Sequence, residues 1–287
     1  MPATNLLAGK TAIITGGTTG IGRAIALEYL RQGCNVVVNH LDLPRDSTHL
    51  DALLSEAASL KAAGTPEGVT VGELDHLPGD VTDPETGRKL VEHAVSKFGR
   101  LDICVSNAGI CTFAEFLDLT PDLFTRTVRT NLDGAFYVVQ AAARQMAAQH
   151  DQDSTSRSSI LGVSSISALV GGGQQTHYTP TKAGVLSLMQ SCAVALGKHG
   201  IRCNALLPGT IRTQLNDADL SDDAKRAYME GRIPLGRTGE PRDMAGPAVF
   251  LACEELSGYV TGAQLLVDGG CLSICSKVGR REREREK

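Results

Sequence analysis

Residues 15 to 22 read Thr-Gly-Gly-Thr-Thr-Gly-Ile-Gly, and this stretch decides the fold because of what stands on either side of it. Before it, residues 11–15 form a short apolar run typical of a buried parallel strand. After it, apolar and charged side chains recur at helical spacing as far as Gly33, a residue type that commonly ends a helix. Residues 36–38 are three valines, typical of a second buried strand. Strand, glycine-rich turn, helix and strand make a βαβ unit, which predicts a parallel sheet.

The glycines of this turn indicate a dinucleotide site. Glycine lets the backbone approach a pyrophosphate closely, and the helix that follows offers free N–H groups and the positive end of its dipole. Thr18 and Thr19 add hydroxyl groups that can donate to phosphate oxygens. Turns use glycine for their own geometry, so an ordinary turn is the alternative. The position between a strand and a helix favours cofactor binding.

Strands and helices alternate along the rest of the chain. Further helices are expected over residues 50–63, 84–98, 121–149 and 178–199, and further strands ending near 80 and over 101–105, 159–163, 201–207 and 264–267. Because no linker or internal repeat interrupts this alternation, we predict an α/β fold with one domain over residues 1–275. It should be a doubly wound, Rossmann-like parallel sheet of about seven strands with helices on both faces. Residues 276–287 are charged and of low complexity, and are expected to form a disordered tail.

Composition excludes several functional classes. A formal net charge of -4 gives no general attraction to nucleic acid or to an anionic membrane, and 4% aromatic residues with no Trp disfavour a surface that stacks bases. No apolar run approaches the roughly 20 residues of a membrane span, and no secretory leader pattern opens the sequence. The 8 cysteines include no C-x-x-C pair, which fits free thiols in a reducing compartment better than disulfides or a zinc site. We therefore expect a cytoplasmic protein with a small-molecule substrate, no metal site, and neither nucleic acid nor membrane as a partner.

Tyr178 and Lys182 are four residues apart, a spacing that places two side chains on one face of a helix. A phenol loses its proton near pH 10 in water, and a neighbouring ammonium favours the phenolate. The pair is therefore a candidate general base for an alcohol. Ser165, at the expected end of a strand, can hydrogen-bond the same substrate oxygen. For the pair taken alone, the alternative is two solvated side chains on a helix surface.

Several motifs together resemble the short-chain dehydrogenase/reductase family over nearly the whole chain, to about residue 270. They are the glycine turn, Asn107-Ala108-Gly109, Asn131, Ser165, Tyr178, Lys182 and Pro208-Gly209. The glycines at 16, 20 and 22 look like those of the compact single-domain branch. The resemblance implies that Tyr178 is the catalytic acid/base and that Ser165 orients the substrate oxygen. It also implies that Lys182 lowers the pKa of the tyrosine and holds the nicotinamide ribose, while Asn131 supports a water relay to that lysine.

The same resemblance implies a set of residues that bind the nicotinamide cofactor. The pyrophosphate would lie against the glycine turn, the adenine against Asp80 and Val81, and the carboxamide near Ile211 and Thr213. The complete expected set is Gly16, Thr18, Thr19, Gly20, Ile21, Asn39, His40, Asp80, Val81, Asn107, Gly109, Tyr178, Lys182, Ile211 and Thr213.

The choice between NAD and NADP rests on the end of the second strand. NAD-selective relatives usually carry an acidic residue there, and NADP-selective ones place Arg or Lys there or in the glycine turn. This chain has Asn39-His40-Leu41 at the strand end and Thr19 in the turn. Without a cation for the extra phosphate the sequence favours NAD, with NADP possible, and His40 or Arg45 are the residues that could reverse the preference.

Four segments resemble a narrower group of the family, the fungal L-rhamnose 1-dehydrogenases: residues 36–41, 106–111, 177–184 and 228–237. The resemblance implies oxidation of the C1 hydroxyl of L-rhamnose, or of L-lyxose or L-mannose, to the aldonolactone, the first step of non-phosphorylated rhamnose breakdown. Ser165, Tyr178 and Gln175 would contact the sugar, and a homotetramer would be built through residues 121–149 and 178–199. The alternatives are another sugar, a polyol or a 3-oxoacyl or steroid ketone as substrate, and a cofactor-binding regulator without catalysis. The polar segment 212–232 favours a sugar over a lipid.

Overall fold

The computed structural model describes residues 5–62 and 69–273. Seven parallel strands form one sheet in the order β3-β2-β1-β4-β5-β6-β7. The strands are β1 Thr11–Thr15, β2 Asn35–His40, β3 Leu74–Pro78, β4 Ile103–Ser106, β5 Ser158–Val163, β6 Ile201–Pro208 and β7 Gln264–Val267. The helices are α1 Gly20–Arg31, α2 Pro44–Ala62, α3 Pro84–Phe98, α4 Pro121–Val128, α5 Gly134–Gln152, α6 Thr179–Leu196, α7 Asp217–Leu220, α8 Asp223–Gly231, α9 Ala245–Ala252 and α10 Glu254–Ser257. The predicted doubly wound α/β fold is confirmed.

Two apolar cores cover the two faces of the sheet. Neighbouring residues of a strand point to opposite faces, so Ile14 belongs to the core that includes α1 and α9, while Ile13 belongs to the core that includes α3, α5 and α6. β1, β4, β5 and β6 are buried along their whole length, as expected for parallel strands covered on both sides. This burial explains their continuous apolar sequences.

The order of the strands reverses between β1 and β4, which are hydrogen-bonded neighbours although residues 16–102 separate them in the chain. From β1 the chain moves outward through β2 and β3, and from β4 it moves outward in the other direction. In open parallel sheets ligands bind beyond the carboxyl ends of the strands at such a reversal. The fold therefore places the candidate site at the ends of β1 and β4.

The predicted helix over residues 121–149 is wrong in one respect, because it is not a single α-helix. Residues Arg129–Asp133 form a π-helical turn between α4 and α5, and Asn131 lies within it. The chain runs on helically through this turn, so apolar spacing alone could not distinguish it.

Other boundaries differ by a few residues. α2 begins at Pro44 rather than near residue 50, and α6 begins at Thr179, so that Tyr178 occupies the position just before the helix. The expected domain limit at residue 275 and the tail 276–287 lie outside the described residues and stay predictions. Within the part of the chain that is described, no helix is both long enough and apolar enough to cross a bilayer.

Candidate active site

A cavity of about 1270 Å³ lies beyond the carboxyl ends of the strands, around the reversal between β1 and β4. Of the residues that the sequence predicts for catalysis, cofactor binding or substrate binding, all but Asn131 line it. The structure thus brings together at one site predicted residues that are spread along the sequence from position 16 to position 213. The sequence did not predict several other lining residues, among them Asp46, His49, Cys111, Phe113 and Met229.

The glycine turn is shaped to hold a dinucleotide backbone. Gly16 and Gly20 have left-handed φ angles of 60° and 53°, which favour glycine. A Cβ atom on Gly22 would lie 2.4 Å from the carbonyl oxygen of Gly16, so the turn closes on the start of α1 only because that side chain is absent. The free N–H groups at the start of α1 then face a surface that is formed by backbone atoms, without a Cβ atom. This geometry fits the pyrophosphate of NAD or NADP.

Asn107 fixes the turn to the end of β4. Its side-chain Nδ2 donates to the carbonyl oxygens of Thr15 (2.9 Å) and Gly16 (3.1 Å). In return, the Thr15 hydroxyl accepts hydrogen bonds from the backbone N–H groups of Asn107 and Ala108, both at 3.0 Å. The predicted cofactor residue Asn107 therefore sets the shape of the site through the backbone of β1.

At the other end of the cavity, Asn39 and His40 close β2. Asn39 is buried and its side-chain amide donates to the carbonyl oxygens of Leu77 (3.3 Å) and Gly79 (2.9 Å). Both N–H groups of the Asn39 amide are thus used within the protein, and its role toward the cofactor stays a prediction. His40 lies 3.2 Å from His76 between ring nitrogens and accepts a hydrogen bond from the backbone N–H of Asp42 at 3.1 Å.

Ser165, Tyr178 and Lys182 meet at the carboxyl end of β5. Nζ of Lys182 lies 5.6 Å from the centroid of the Tyr178 ring and donates to the carbonyl oxygen of Val163, the last residue of β5, at 2.9 Å. The Ser164 hydroxyl donates to the carbonyl oxygen of Lys182 at 2.7 Å, which ties the first turn of α6 to the same strand end. Three of the four predicted catalytic side chains therefore share one compartment.

Burial dominates the titration of this compartment. It raises the pKa of Tyr178 well above its ordinary value; the Cys111 thiol adds to this, and a hydrogen bond with Ser165 opposes it. Burial also lowers the pKa of Lys182 to about 8, against a smaller opposing effect of Cys111. That Lys182 lowers the pKa of Tyr178 stays a prediction.

Asn131 lies behind the cavity wall rather than in it. Its Oδ1 accepts from the backbone N–H of Ile110 at 2.8 Å, and its Nδ2 donates to the Ile110 carbonyl oxygen at 2.9 Å and to Thr181 Oγ1 at 3.2 Å. The Thr181 hydroxyl donates in turn to the Tyr178 carbonyl oxygen at 2.7 Å. Asn131 thus connects the loop after β4 to the start of α6, and the water relay stays a prediction.

Two loops form the wall on the substrate side. Gln174 donates to Glu115 at 2.7 Å, and the backbone N–H of Ala114 donates to the Gln174 carbonyl oxygen at 3.0 Å. Gln175 lines the cavity, and its Nε2 donates to Cys111 Sγ at 3.3 Å. One residue separates Cys111 from the Asn-Ala-Gly motif in the sequence. Its proximity to a strand end was therefore the only sequence signal that it would line the cavity.

Comparison with known proteins finds relatives over most of the chain. A family model described as "Enoyl-(Acyl carrier protein) reductase" matches residues 16–271. The chain is 59% identical to "L-rhamnose-1-dehydrogenase" of Scheffersomyces stipitis, over 93% of this chain and 97% of that protein. It is 53% identical to "L-rhamnose 1-dehydrogenase (NAD(P)(+))" of Sphingomonas sp. strain SKA58, over 92% and 97%.

Among solved structures, a short-chain type dehydrogenase/reductase from Mycobacterium marinum is similar, with a TM-score of 0.81 and 35% identity over 94% of this chain and 97% of that one. The sequence match and the fold agree with one another. The chain belongs to the short-chain dehydrogenase/reductase family.

Proposed function

We propose that this protein oxidises the C1 hydroxyl of L-rhamnose, and of similar aldoses such as L-lyxose and L-mannose, to the aldonolactone with NAD(P) as hydride acceptor. This reaction would be the first step of non-phosphorylated L-rhamnose catabolism. The observation that carries the proposal is the meeting of Ser165, Tyr178 and Lys182 at a dinucleotide cavity, in a chain 59% identical to a protein named for this reaction.

The chemistry follows from the positions of these side chains. When bound, the oxidised nicotinamide supplies the hydride acceptor and a positive charge near the phenol. As the phenolate, Tyr178 would take the proton of the C1 hydroxyl, the hydrogen on C1 would leave as hydride to that acceptor, and C1 would become the lactone carbonyl carbon. Ser165 holds the C1 oxygen, while Lys182, which Val163 anchors, would hold the ribose. A positioned acid/base group of this kind typically contributes about 10² to 10⁴ in rate.

Polar groups on the substrate side support a sugar. Gln175 lines the cavity beside Cys111, and Thr210, Gln214 and Asn216 line it from the segment after β6. These groups can exchange hydrogen bonds with ring hydroxyls, whereas an acyl chain or steroid requires an apolar channel.

For the cofactor we propose use of NAD(P) with a preference for NAD. The described side chains at the end of β2 include no Lys or Arg that lines the cavity, which leaves the extra phosphate of NADP without a fixed cation among them. The side chain of Arg45, named above as a residue that could reverse the preference, lies outside the described part of the structure. The relative from Sphingomonas sp. is named for both cofactors, so NADP use belongs to the proposal.

We also propose a cytoplasmic homotetramer. The seven cysteines of the described part of the chain are all unpaired, which suits a reducing compartment. Exposed apolar side chains on α4, α5 and α6, namely Phe124, Phe136 and Val194, support association through these helices.

The test is the rate at which reduced nicotinamide appears with L-rhamnose, with NAD and NADP in parallel and a panel of aldoses and polyols alongside. Because ketones are reduced rather than oxidised, 3-oxoacyl and steroid ketones are tested by the rate at which NADH or NADPH disappears. Fast and selective turnover of L-rhamnose supports the proposal. Turnover of a ketone or polyol instead would transfer the same tyrosine chemistry to that substrate. A folded protein that binds cofactor and turns over nothing would favour a non-catalytic regulator.

A further inference from the structure

Two histidines meet where the cavity reaches the ends of β2 and β3. His40 is 5% exposed and lines the cavity, and its Nε2 lies 3.2 Å from Nδ1 of His76. The two rings are tilted by 43°, with centroids 5.4 Å apart. In dinucleotide folds the end of β2 faces the 2′ position of the adenosine ribose, which carries a hydroxyl in NAD and a phosphate in NADP.

The hydrogen bonds define where the protons are. Nδ1 of His40 accepts from the backbone N–H of Asp42, so the proton of neutral His40 is on Nε2. That proton is donated to Nδ1 of His76, which in turn carries its own proton on Nε2. A further proton on Nδ1 of His40 would change this atom from an acceptor into a donor and would release the Asp42 amide. Asp42 lies in an exposed loop with a left-handed φ of 61°.

Few charged groups surround the His40–His76 pair, and most of them are acidic. Asp42 and Asp46 favour the protonated form of His40, while burial and His76 disfavour it, so that its pKa is lowered. Behind His76, Asp75 forms an ion pair with Lys97 at 2.8 Å and contacts His93 Nε2 at 2.9 Å. Nearby His49, on α2, contacts Gln214 at 3.1 Å, and Asp80 lines the cavity beyond β3. β1 and the glycine turn, residues 11–22, contain no charged or titratable side chain.

The cationic side chains that line the cavity lie away from the end of β2. Among the described side chains they are Lys182 of α6, Arg126 of α4 and Arg129 of the π-turn. Of the side chains described at the end of β2, a 2′-phosphate would therefore meet carboxylates and histidines rather than a permanent positive charge.

We propose that the His40–His76 pair takes up a proton when NADP binds but not when NAD binds, and so makes the choice between the two cofactors depend on pH. The inference rests on the proposed use of NAD(P). The phosphate supplies the negative charge that a buried imidazolium needs, and NAD supplies none. Conversely, the protonated pair binds NADP more tightly by the same factor, because linkage is reciprocal.

The direction of the pH effect follows from this linkage. Protonation favours NADP, so the ratio of the NAD dissociation constant to the NADP dissociation constant should fall as pH rises above the second pKa of a phosphate, about 6. One linked proton changes the ratio by at most about tenfold per pH unit. Between pH 6.5 and 8.5 we expect a fall of about tenfold.

The experiment is calorimetric binding of NADP and of NAD to the wild-type protein without substrate, in two buffers of different ionisation enthalpy, from pH 6.5 to 8.5. Net proton uptake with NADP and none with NAD supports the proposal. Equal proton numbers for the two cofactors, or release with NADP, would overturn it. Because no sugar is present, the outcome does not depend on the substrate.

Variants test whether the His40–His76 pair is the group that takes up the proton when NADP binds. H40Q should bind NADP without proton uptake and should lose the pH dependence of the ratio. H76Q removes the second ring but leaves His40 to titrate, so the fall in the ratio should move to higher pH. H150Q, changed at the far end of the sheet, should behave as the wild type. If H40Q binds both cofactors and retains the NADP-linked uptake, the proton belongs to another group and the proposal fails.

Discussion

Nζ of Lys182 lies 2.9 Å from the carbonyl oxygen of Val163, so the last residue of β5 fixes a buried ammonium group in the candidate active site. One hydrogen bond does not replace full hydration, and burial lowers the pKa of Lys182 to about 8. The position of the lysine therefore lowers the stability of the folded protein.

The first prediction concerns this lysine. Because its pKa is lower in the folded than in the unfolded chain, the unfolded chain binds more protons between about pH 8 and 10.4, and the free energy of unfolding rises with pH in that window. K182M lacks this dependence. Urea unfolding should show that the stability of K182M relative to wild type falls by about 1–2 kcal/mol between pH 7.5 and 9.5. K89M, at an exposed position, should show no such change, and a constant difference for K182M would contradict the assignment.

Loss of the Tyr178 hydroxyl tests the proposed acid/base. Y178F should lower kcat for L-rhamnose by about 10² to 10⁴, because the proton of the C1 hydroxyl then has no positioned acceptor. Cofactor binding, followed by fluorescence titration, should be retained. Y259F is a matched control, since Tyr259 is fully exposed and away from the cavity. Near-normal turnover of Y178F would refute the role.

Gln175 and its neighbour Gln174 form a matched pair for substrate binding. Gln175 lines the cavity, whereas Gln174 contacts Glu115 outside it. Q175L should raise the KM for L-rhamnose by about 2- to 10-fold, as expected for the removal of one hydrogen bond, with little change in the KM for cofactor. Q174L should leave both constants unchanged. An equal effect of the two substitutions would mean that each disturbs the loop, and that Gln175 does not hydrogen-bond the sugar.

The cofactor turn depends on the missing side chain at position 22. In G22A the new Cβ would lie 2.4 Å from the Gly16 carbonyl oxygen and 2.6 Å from Nδ2 of Asn107, so the turn must shift. We expect binding of reduced cofactor to weaken at least tenfold, with a lower Tm. G171A is the control, because a Cβ at Gly171 meets nothing within 4 Å. Unchanged cofactor affinity in a folded G22A protein would exclude this turn as the pyrophosphate site.

An ion cluster between β3 and α3 should make stability sensitive to acid. Burial alone would raise the pKa of Asp75, but hydrogen bonds from Lys97, the His76 backbone and His93 lower it to about 2. A carboxyl group with a lowered pKa contributes stability that is lost as pH falls from about 4 toward 2. Because solvent screens this partly exposed cluster, D75N should cost about 1 kcal/mol in urea unfolding at pH 7, and about half as much at pH 3. Exposed Asp51 provides the control D51N, and an equal loss at both pH values would show that the charge is not responsible.

Much of the fold could be predicted because local patterns specify it. α3 was expected at its observed bounds: Asp83 caps it, Pro84 begins it and Gly99 ends it in the left-handed conformation. The π-turn at Asn131 could not be predicted, because its cause is the contact with Ile110 in another loop.

The residues of the candidate site could be predicted from the sequence, whereas the pKa values of its titratable groups could not. Motif spacing identified the residues around the cavity, since strand ends of a parallel sheet meet at one edge. The pKa shifts of Tyr178 and Lys182 depend on how far tertiary packing removes them from water, which spacing does not specify. For the same reason, the hydrogen bonds of Asn39 to Leu77 in β3 and to Gly79 just after it were not apparent from β2 alone.

The hydrogen bonds between Thr15 and Asn107 determine how much of the chain must be synthesised before it can bind cofactor. The turn after β1 is translated early, yet the groups that fix its shape come 92 residues later. β2 and β3 emerge in between, so β2 can pair with β1, and β3 with β2, before β4 is made. A nascent chain that ends before β4 therefore contains every glycine of the turn but should not retain a dinucleotide, and ribosome-bound chains of increasing length should acquire cofactor binding only after residue 108 has left the exit tunnel.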